Sequence, residues 1–118
     1  MYTVKMSEAE LMQLPKRDVR CFIGGEKMET PVKSGNLTIG MTEVPAHTDM
    51  IPHAHETEEE IIFVIAGTGE VIIGGVAEPI GPFTAVKFPV CLEHQVRNTG
   101  DETLRFVFVF DCVFSFGR

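Results

Sequence analysis

The sequence predicts an all-β fold, a small sandwich or barrel preceded by a short N-terminal helix. Three observations predict it. From about Val19 onward, short runs rich in Val, Ile, Phe and Thr are separated by Gly, Pro and Asn, the punctuation of strands and turns. A Gly74-Gly75 pair stands between Val71-Ile72-Ile73 and Val76, and paired glycines supply the positive φ angles of a tight hairpin. No long helical period competes anywhere in the 118 residues, so regular short strands with Gly/Pro turns decide the class.

Taken in order, Ser7 is followed three residues later by Glu10 and then by Leu11, Met12 and Leu14. That pattern reads as a capping box opening a short helix that Pro15 stops. Leu37, Ile39 and Met41 alternate with Thr38, Gly40 and Thr42, a period of two with one apolar face. Ile61 to Ala66 is apolar on both faces, as in a strand covered on each side. Thr84 to Phe88 and Leu104 to Phe110 supply further strands. In the last of these Leu104, Phe106, Phe108 and Phe110 share one face, and Phe114 and Phe116 follow. No internal repeat, low-complexity stretch or linker interrupts the chain, so residues 1–118 read as one domain.

Composition narrows the function. Ten Lys+Arg against 17 Asp+Glu give a formal net charge of −7, and no basic patch offsets it, so nucleic-acid binding is excluded as an expectation. An apolar run of roughly 18 residues or a cationic start with an apolar core would mark a membrane span or a signal peptide. The sequence has neither. Its three cysteines, Cys21, Cys91 and Cys112, are odd in number and lack C-x-x-C spacing, which fits a reducing cytoplasm.

The chemistry gathers around the histidines. His53 and His55 flank Ala54, and in extended chain residues i and i+2 point to one side, so both imidazoles can aim at one point. Glu60 opens the most apolar strand of the chain. A carboxylate leading into a buried strand needs a partner, and a metal ion is one. His94 is a third imidazole, far along the chain between Pro89 and Asn98.

These residues resemble the cupin superfamily, small jelly-roll barrels (double-stranded β-helices) that carry two motifs separated by a variable hairpin. The first motif, Gly-x5-His-x-His-x(3,4)-Glu-x6-Gly, is met by His53, His55, Glu60 and Gly67. The second, Gly-x5-Pro-x-Gly-x2-His-x3-Asn, is met by Pro89, His94 and Asn98. The resemblance covers residues 36–110, the barrel core. Three turn glycines depart from it: His47 stands at the first motif's opening glycine, Gly81 falls two residues early, and Cys91 replaces the glycine after Pro89.

The resemblance implies that His53, His55, Glu60 and His94 ligate one divalent transition metal. Three imidazoles and a carboxylate suit Fe, Mn, Ni, Co, Cu or Zn, and disfavour Ca or a thiolate-rich site. Glu59 is a rival to Glu60 because the motif tolerates either spacing. Glu60 restores the six residues to Gly67 and shares a face with Ile62 and Val64. Glu56, Glu58 and Glu59 then read as a solvated acidic loop.

His47 has two readings, a general acid or base beside the pocket or a partly exposed strand histidine holding a hydrogen bond. Cys91 either lines the cavity near His94 or packs where glycine usually turns. Phe88, Phe106 and Phe108 are candidate pocket walls, and the inward strands offer few Arg or Lys, which favours a small, partly apolar ligand.

The function implied is a metal-dependent enzyme on a small molecule, with redox or dioxygenase-like chemistry favoured. The alternative is a non-catalytic small-ligand or sensing module. The apolar outer faces of the Ile61 and Leu104 strands call for a cover, most simply a homodimer.

Overall fold

Ten strands and one turn of 3-10 helix at Met6–Glu8 make up the regular structure of the described residues. A computed structural model describes residues 2–111; Cys112, Phe114 and Phe116 lie outside the described residues. The strands are β1 (Leu11–Leu14), β2 (Arg17–Gly24), β3 (Val32–Lys33), β4 (Leu37–Val44) and β5 (Glu60–Ala66). They continue with β6 (Gly69–Ile73), β7 (Val76–Ile80), β8 (Ala85–Phe88), β9 (His94–Arg97) and β10 (Leu104–Asp111). One sheet runs β1-β2-β4-β10-β5-β8 with β3 paired to β2, and a second runs β7-β6-β9. The architecture is the jelly-roll barrel that the sequence predicts.

The N-terminal helix is smaller than its sequence signal. The Lys5 N–H donates to Glu8 Oε1 at 2.7 Å, closing a single 3-10 turn, and Leu11–Leu14 continues as a strand. Pro15 and Lys16 explain the difference. Lys16 has φ 67°, so a proline followed by a positive-φ residue forms a tight reversal of type II character. Leu14 then pairs with Arg17 and Leu11 with Arg20, and the ladder to β2 outcompetes a helix too short to hold itself.

The Gly74-Gly75 hairpin is as expected. Both glycines have positive φ, 56° and 84°, and Ile73 pairs with Val76 across the turn.

The strand β10 sets the interior. Leu104, Phe106, Phe108 and Phe110 all point inward and are buried, and β4 and β5 pair with it on either side. Phe106 lies opposite Thr42, Phe108 opposite Gly40 and Phe110 opposite Thr38. Those rings leave room only for small side chains across the ladder. A Cβ added to Gly40 would overlap Phe108 Cζ and the Arg20 carbonyl oxygen.

The inward face of β4 is therefore Thr38, Gly40, Thr42 and Val44. The apolar set lies on the other side, where Leu37 is 52% exposed, Ile39 is half-buried and Met41 is buried outside the core cluster. Neighbouring bulk overrides hydropathy in choosing the face.

On β5, Ile62 and Val64 enter the core with Val19, Val71, Phe88 and Val96. Ile61, Phe63 and Ile65 are exposed on the outside, where the sequence predicts a covered face.

Substituting Gly40→Ala should overpack the barrel and cost about 1–3 kcal/mol, read as a lower urea midpoint. Gly35→Ala, where an added Cβ meets nothing within 4 Å, should stay within about 0.5 kcal/mol of the parent protein. Equal midpoints for the two variants would refute the close packing of Phe108 on Gly40.

Candidate metal centre

The segment between β4 and β5 carries His47 and two of the cluster's histidines, His53 and His55, and backbone bonds lace it to β9 and the residues flanking it. Asn98 N–H donates to Thr48 O at 2.9 Å, Met50 N–H to Val96 O at 2.9 Å, and Cys91 N–H to His55 O at 2.7 Å. At the centre, His53 and His94 form a two-way bridge, His53 N–H to His94 O at 3.0 Å and His94 N–H to His53 O at 2.8 Å. Asn98 is buried, and its Nδ2 reaches the carbonyl oxygens of Val44, Pro45 and Glu102 at 2.8 to 3.0 Å. This motif asparagine ties the end of β4 to the turn before β10.

Glu60 reaches the same place from the first residue of β5. Its register partners are Phe110 and Phe88, so its carboxylate enters between two aromatic neighbours. One ligand atom from each of His53, His55, Glu60 and His94 lies within 4.8 Å of the other three. Glu59, the sequence rival, points away and pairs with Lys87 at 3.1 Å.

Hydrogen bonding sets the histidine tautomers. His53 Nδ1 lies 3.2 Å from Ile51 O and His94 Nδ1 lies 3.3 Å from Leu92 O. A carbonyl only accepts, so each Nδ1 carries the proton and each Nε2 presents a lone pair. The two Nε2 atoms stand 3.2 Å apart. Two lone pairs at that distance repel unless a cation lies against both. Glu60 Oε1, a further acceptor, is 3.1 Å from His55 Nε2 and 3.8 Å from His94 Nε2. Converging acceptors of this kind suit a metal ion of borderline hardness.

Burial holds His94 neutral. Its pKa is pushed down to about 4, first by desolvation and then by the neighbouring His53, with Glu60 opposing. Phe88 stacks on the His94 ring at 4.1 Å between centroids and 15° between planes. This touches the cluster with one of the predicted wall residues. Phe106 and Phe108 belong to the core cluster deeper in the barrel.

His47 is not brought to the cluster. Its side chain is 64% exposed and its Nε2 lies 2.6 Å from Asp101 Oδ1. It occupies a left-handed backbone position, φ 54°, and so does Cys91, φ 62°. Both stand where the motifs carry glycine, which adopts that conformation without strain. Cys91 is exposed, with its Sγ 3.5 Å from Glu56 O, so it takes the turn position of the second sequence reading.

Two residues escaped the sequence reading. Glu58 is not part of a solvated loop: it is 2% exposed and lies 3.6 Å from His55 Nδ1. Its burial is set by tertiary contacts, and no local signal separates it from Glu56 and Glu59. Arg17, by strand alternation, lies on the inward side of β2 with Val19 and Cys21. Desolvation lowers its pKa, and the Glu60 carboxylate opposes that shift. A cleft of about 350 Å³ is lined by Met12, Cys21, Met28 and Thr30 with Glu10, Lys27 and Glu29, and Arg17 is not among its walls. The inward strands thus carry at least one cation, where few were expected.

A jelly roll with three histidines and a glutamate converging inside it defines a class of small barrels with a cluster that could hold a metal ion. Residues 40–110 match the family model of the cupin domain, and the chain belongs to that family. It is 31% identical over 81 residues to polyketide synthase CurC of Streptomyces cyaneus, covering 67% of this chain and 53% of that protein. It is 32% identical over 81 residues to protein SchB of Streptomyces halstedii, covering 67% and 59% respectively. The chain thus spans about half the length of the curated relatives it matches.

Among solved structures, the polyketide cyclase RemF of Streptomyces resistomycificus superposes with a TM-score of 0.77 at 23% identity, over 95% of this chain and 80% of that one. The cupin domain of Schizosaccharomyces pombe Cnp3 gives 0.78 at 14% identity, over 93% and 73%. Those likenesses show the fold. No helix among the described residues is long and apolar enough to cross a membrane.

The two described cysteines should separate by reactivity, because the thiolate is the nucleophile. Burial pushes Cys21 up to about 11, whereas Cys91 is exposed. Iodoacetamide on the native protein at pH 8, followed by peptide mapping, should label Cys91 and spare Cys21 until denaturant is added. Equal labelling of both in the native protein would contradict this placement.

Proposed function

We propose that the chain holds one divalent transition metal on His53, His55, Glu60 and His94 and acts on a small, partly apolar oxygen-bearing molecule of the polyketide type. The carrying observation is the pair of Nε2 lone pairs 3.2 Å apart, with Glu60 beside them. When bound, a metal with a free coordination position supplies Lewis acidity toward a substrate oxygen or activates a small oxygen ligand.

The protein residues do the rest. Ile51 O and Leu92 O hold the His53 and His94 rings by their Nδ1–H groups, and Phe88 shields one face of His94 from water. Glu60 supplies negative charge, which reaches as far as the Arg17 guanidinium. The names of two matches, a polyketide synthase and a polyketide cyclase, support a substrate rich in carbonyl groups. Within this reading, oxygen-using and ring-forming reactions are the two candidate outcomes.

Metal analysis of protein purified without chelator should find about one ion per chain. The variant combining His53→Ala, His55→Ala, Glu60→Ala and His94→Ala should carry almost none. Equal, near-zero metal in both would remove this reading. Incubation of the loaded protein with a model polyketone, with and without oxygen, should yield a changed product. Binding without chemical change would favour a sensing role.

We also propose a second copy of the chain on the outer face of β5 and β10. Ile61, Phe63 and Ile65 are exposed there, and Phe83 adds its ring 6.4 Å from that of Phe63. A lone barrel would leave this patch wet. Light scattering should give about 26 kDa, twice the 13.1 kDa of one chain, and Phe63→Glu should halve it. A parent mass near that of one chain would refute the dimer.

A further inference from the structure

The three imidazoles of the cluster are not held alike. His53 and His94 each place Nδ1 against a neutral backbone carbonyl. His55 instead places Nδ1 3.6 Å from a carboxylate, Glu58 Oε1, while its Nε2 faces Glu60 Oε1 at 3.1 Å.

Glu58 is among the most buried charged side chains described, at 2% exposure. Its other oxygen accepts a hydrogen bond from the Thr57 hydroxyl, which fixes the carboxylate plane. Burying a carboxylate away from water costs several kcal/mol unless a donor or a cation answers it. One of the groups placed to answer it is the His55 imidazole, whose Nδ1 faces Glu58 Oε1.

We propose that Glu58 is a positioning residue for the metal centre: when a metal ion takes Nε2 of His55, the Glu58 carboxylate accepts the proton left on Nδ1, holds the ring and makes His55 the most electron-rich of the three imidazoles. This rests on the metal-binding reading above and adds to it a residue outside the four donors. Neutral imidazole has one N–H; the 3.1 Å contact holds it on Nε2, donating to Glu60 Oε1, and a metal ion taking Nε2 would leave that proton to Nδ1, which faces Glu58 at 3.6 Å. A carboxylate behind a ligating histidine both orients the ring and raises its basicity, and its loss typically weakens metal binding about 10- to 100-fold.

The choice of Glu58 over its neighbours follows from the geometry. Glu59 pairs with Lys87 on the outside, and Glu56 is exposed, with its carbonyl rather than its carboxylate near Cys91.

The test is a Co(II) titration of the parent protein, Glu58→Gln, Glu58→Ala and the control Glu59→Gln, followed by absorbance of the bound ion and by calorimetry. Thermal melting of the metal-free proteins checks that each is folded. Glu58→Gln keeps the shape and removes the charge. It should bind Co(II) about 10- to 100-fold more weakly, with a shifted absorption band, while its metal-free melting temperature stays near the parent value. Glu59→Gln should match the parent in affinity and spectrum. Parent-like affinity and spectrum in Glu58→Gln would overturn the role of Glu58 and leave the metal site standing. Failure of the parent itself to bind Co(II) would overturn both.

Discussion

The two-way backbone bridge between His53 and His94 is the interaction on which the centre depends. It joins a connecting segment to a strand 41 residues further along, and it does so with hydrogen bonds that fix both Cα positions. Side-chain convergence follows. Once the two backbones are locked in antiparallel pairing, both imidazoles project to one side, and each Nδ1 finds a carbonyl two residues before its own position. The flanking bonds from Met50, Cys91 and Asn98 extend the same lacing, so the segment bearing His53 and His55 behaves as an added strand of the smaller sheet. Rigid backbone beneath the donors is what a metal site requires, since loosely held ligands lose affinity to side-chain entropy.

A second constraint comes from β10. Its inward side chains fill the barrel between the sheets, and their bulk dictates what can stand opposite. Threonines and a glycine are buried on β4 because the rings of Phe106, Phe108 and Phe110 occupy the remaining volume. The same strand brings Phe110 beside Glu60, so one register sets both core packing and the apolar flank of the carboxylate. Displacing a strand by one residue would move the donor to the other face.

Much of this was legible from residue order. The Gly74-Gly75 turn, the four alternating inward residues of β10 and the choice of Glu60 over Glu59 all follow from local spacing, because strand periodicity is two and turn chemistry is short-range. Other features were not. Leu11 to Leu14 looks helical until a partner strand is supplied, since a four-residue segment has no strong preference of its own. The buried face of β4 runs against its hydropathy, because the deciding groups lie on another strand. His47 and Cys91 look chemically interesting in a linear reading, yet the backbone places both in left-handed turns at the surface.

By itself, the sequence determined the family, the donor types and their spacing, because those are carried by identity and by short intervals along extended chain. Only the tertiary structure decided that Glu58, within the acidic run before Glu60, is buried. The physical reason is that burial belongs to the fold rather than to the residue. Glu58, Glu59 and Glu60 are chemically near-identical neighbours, and the chain sends one behind His55, one to Lys87 at the surface and one into the cluster of imidazoles.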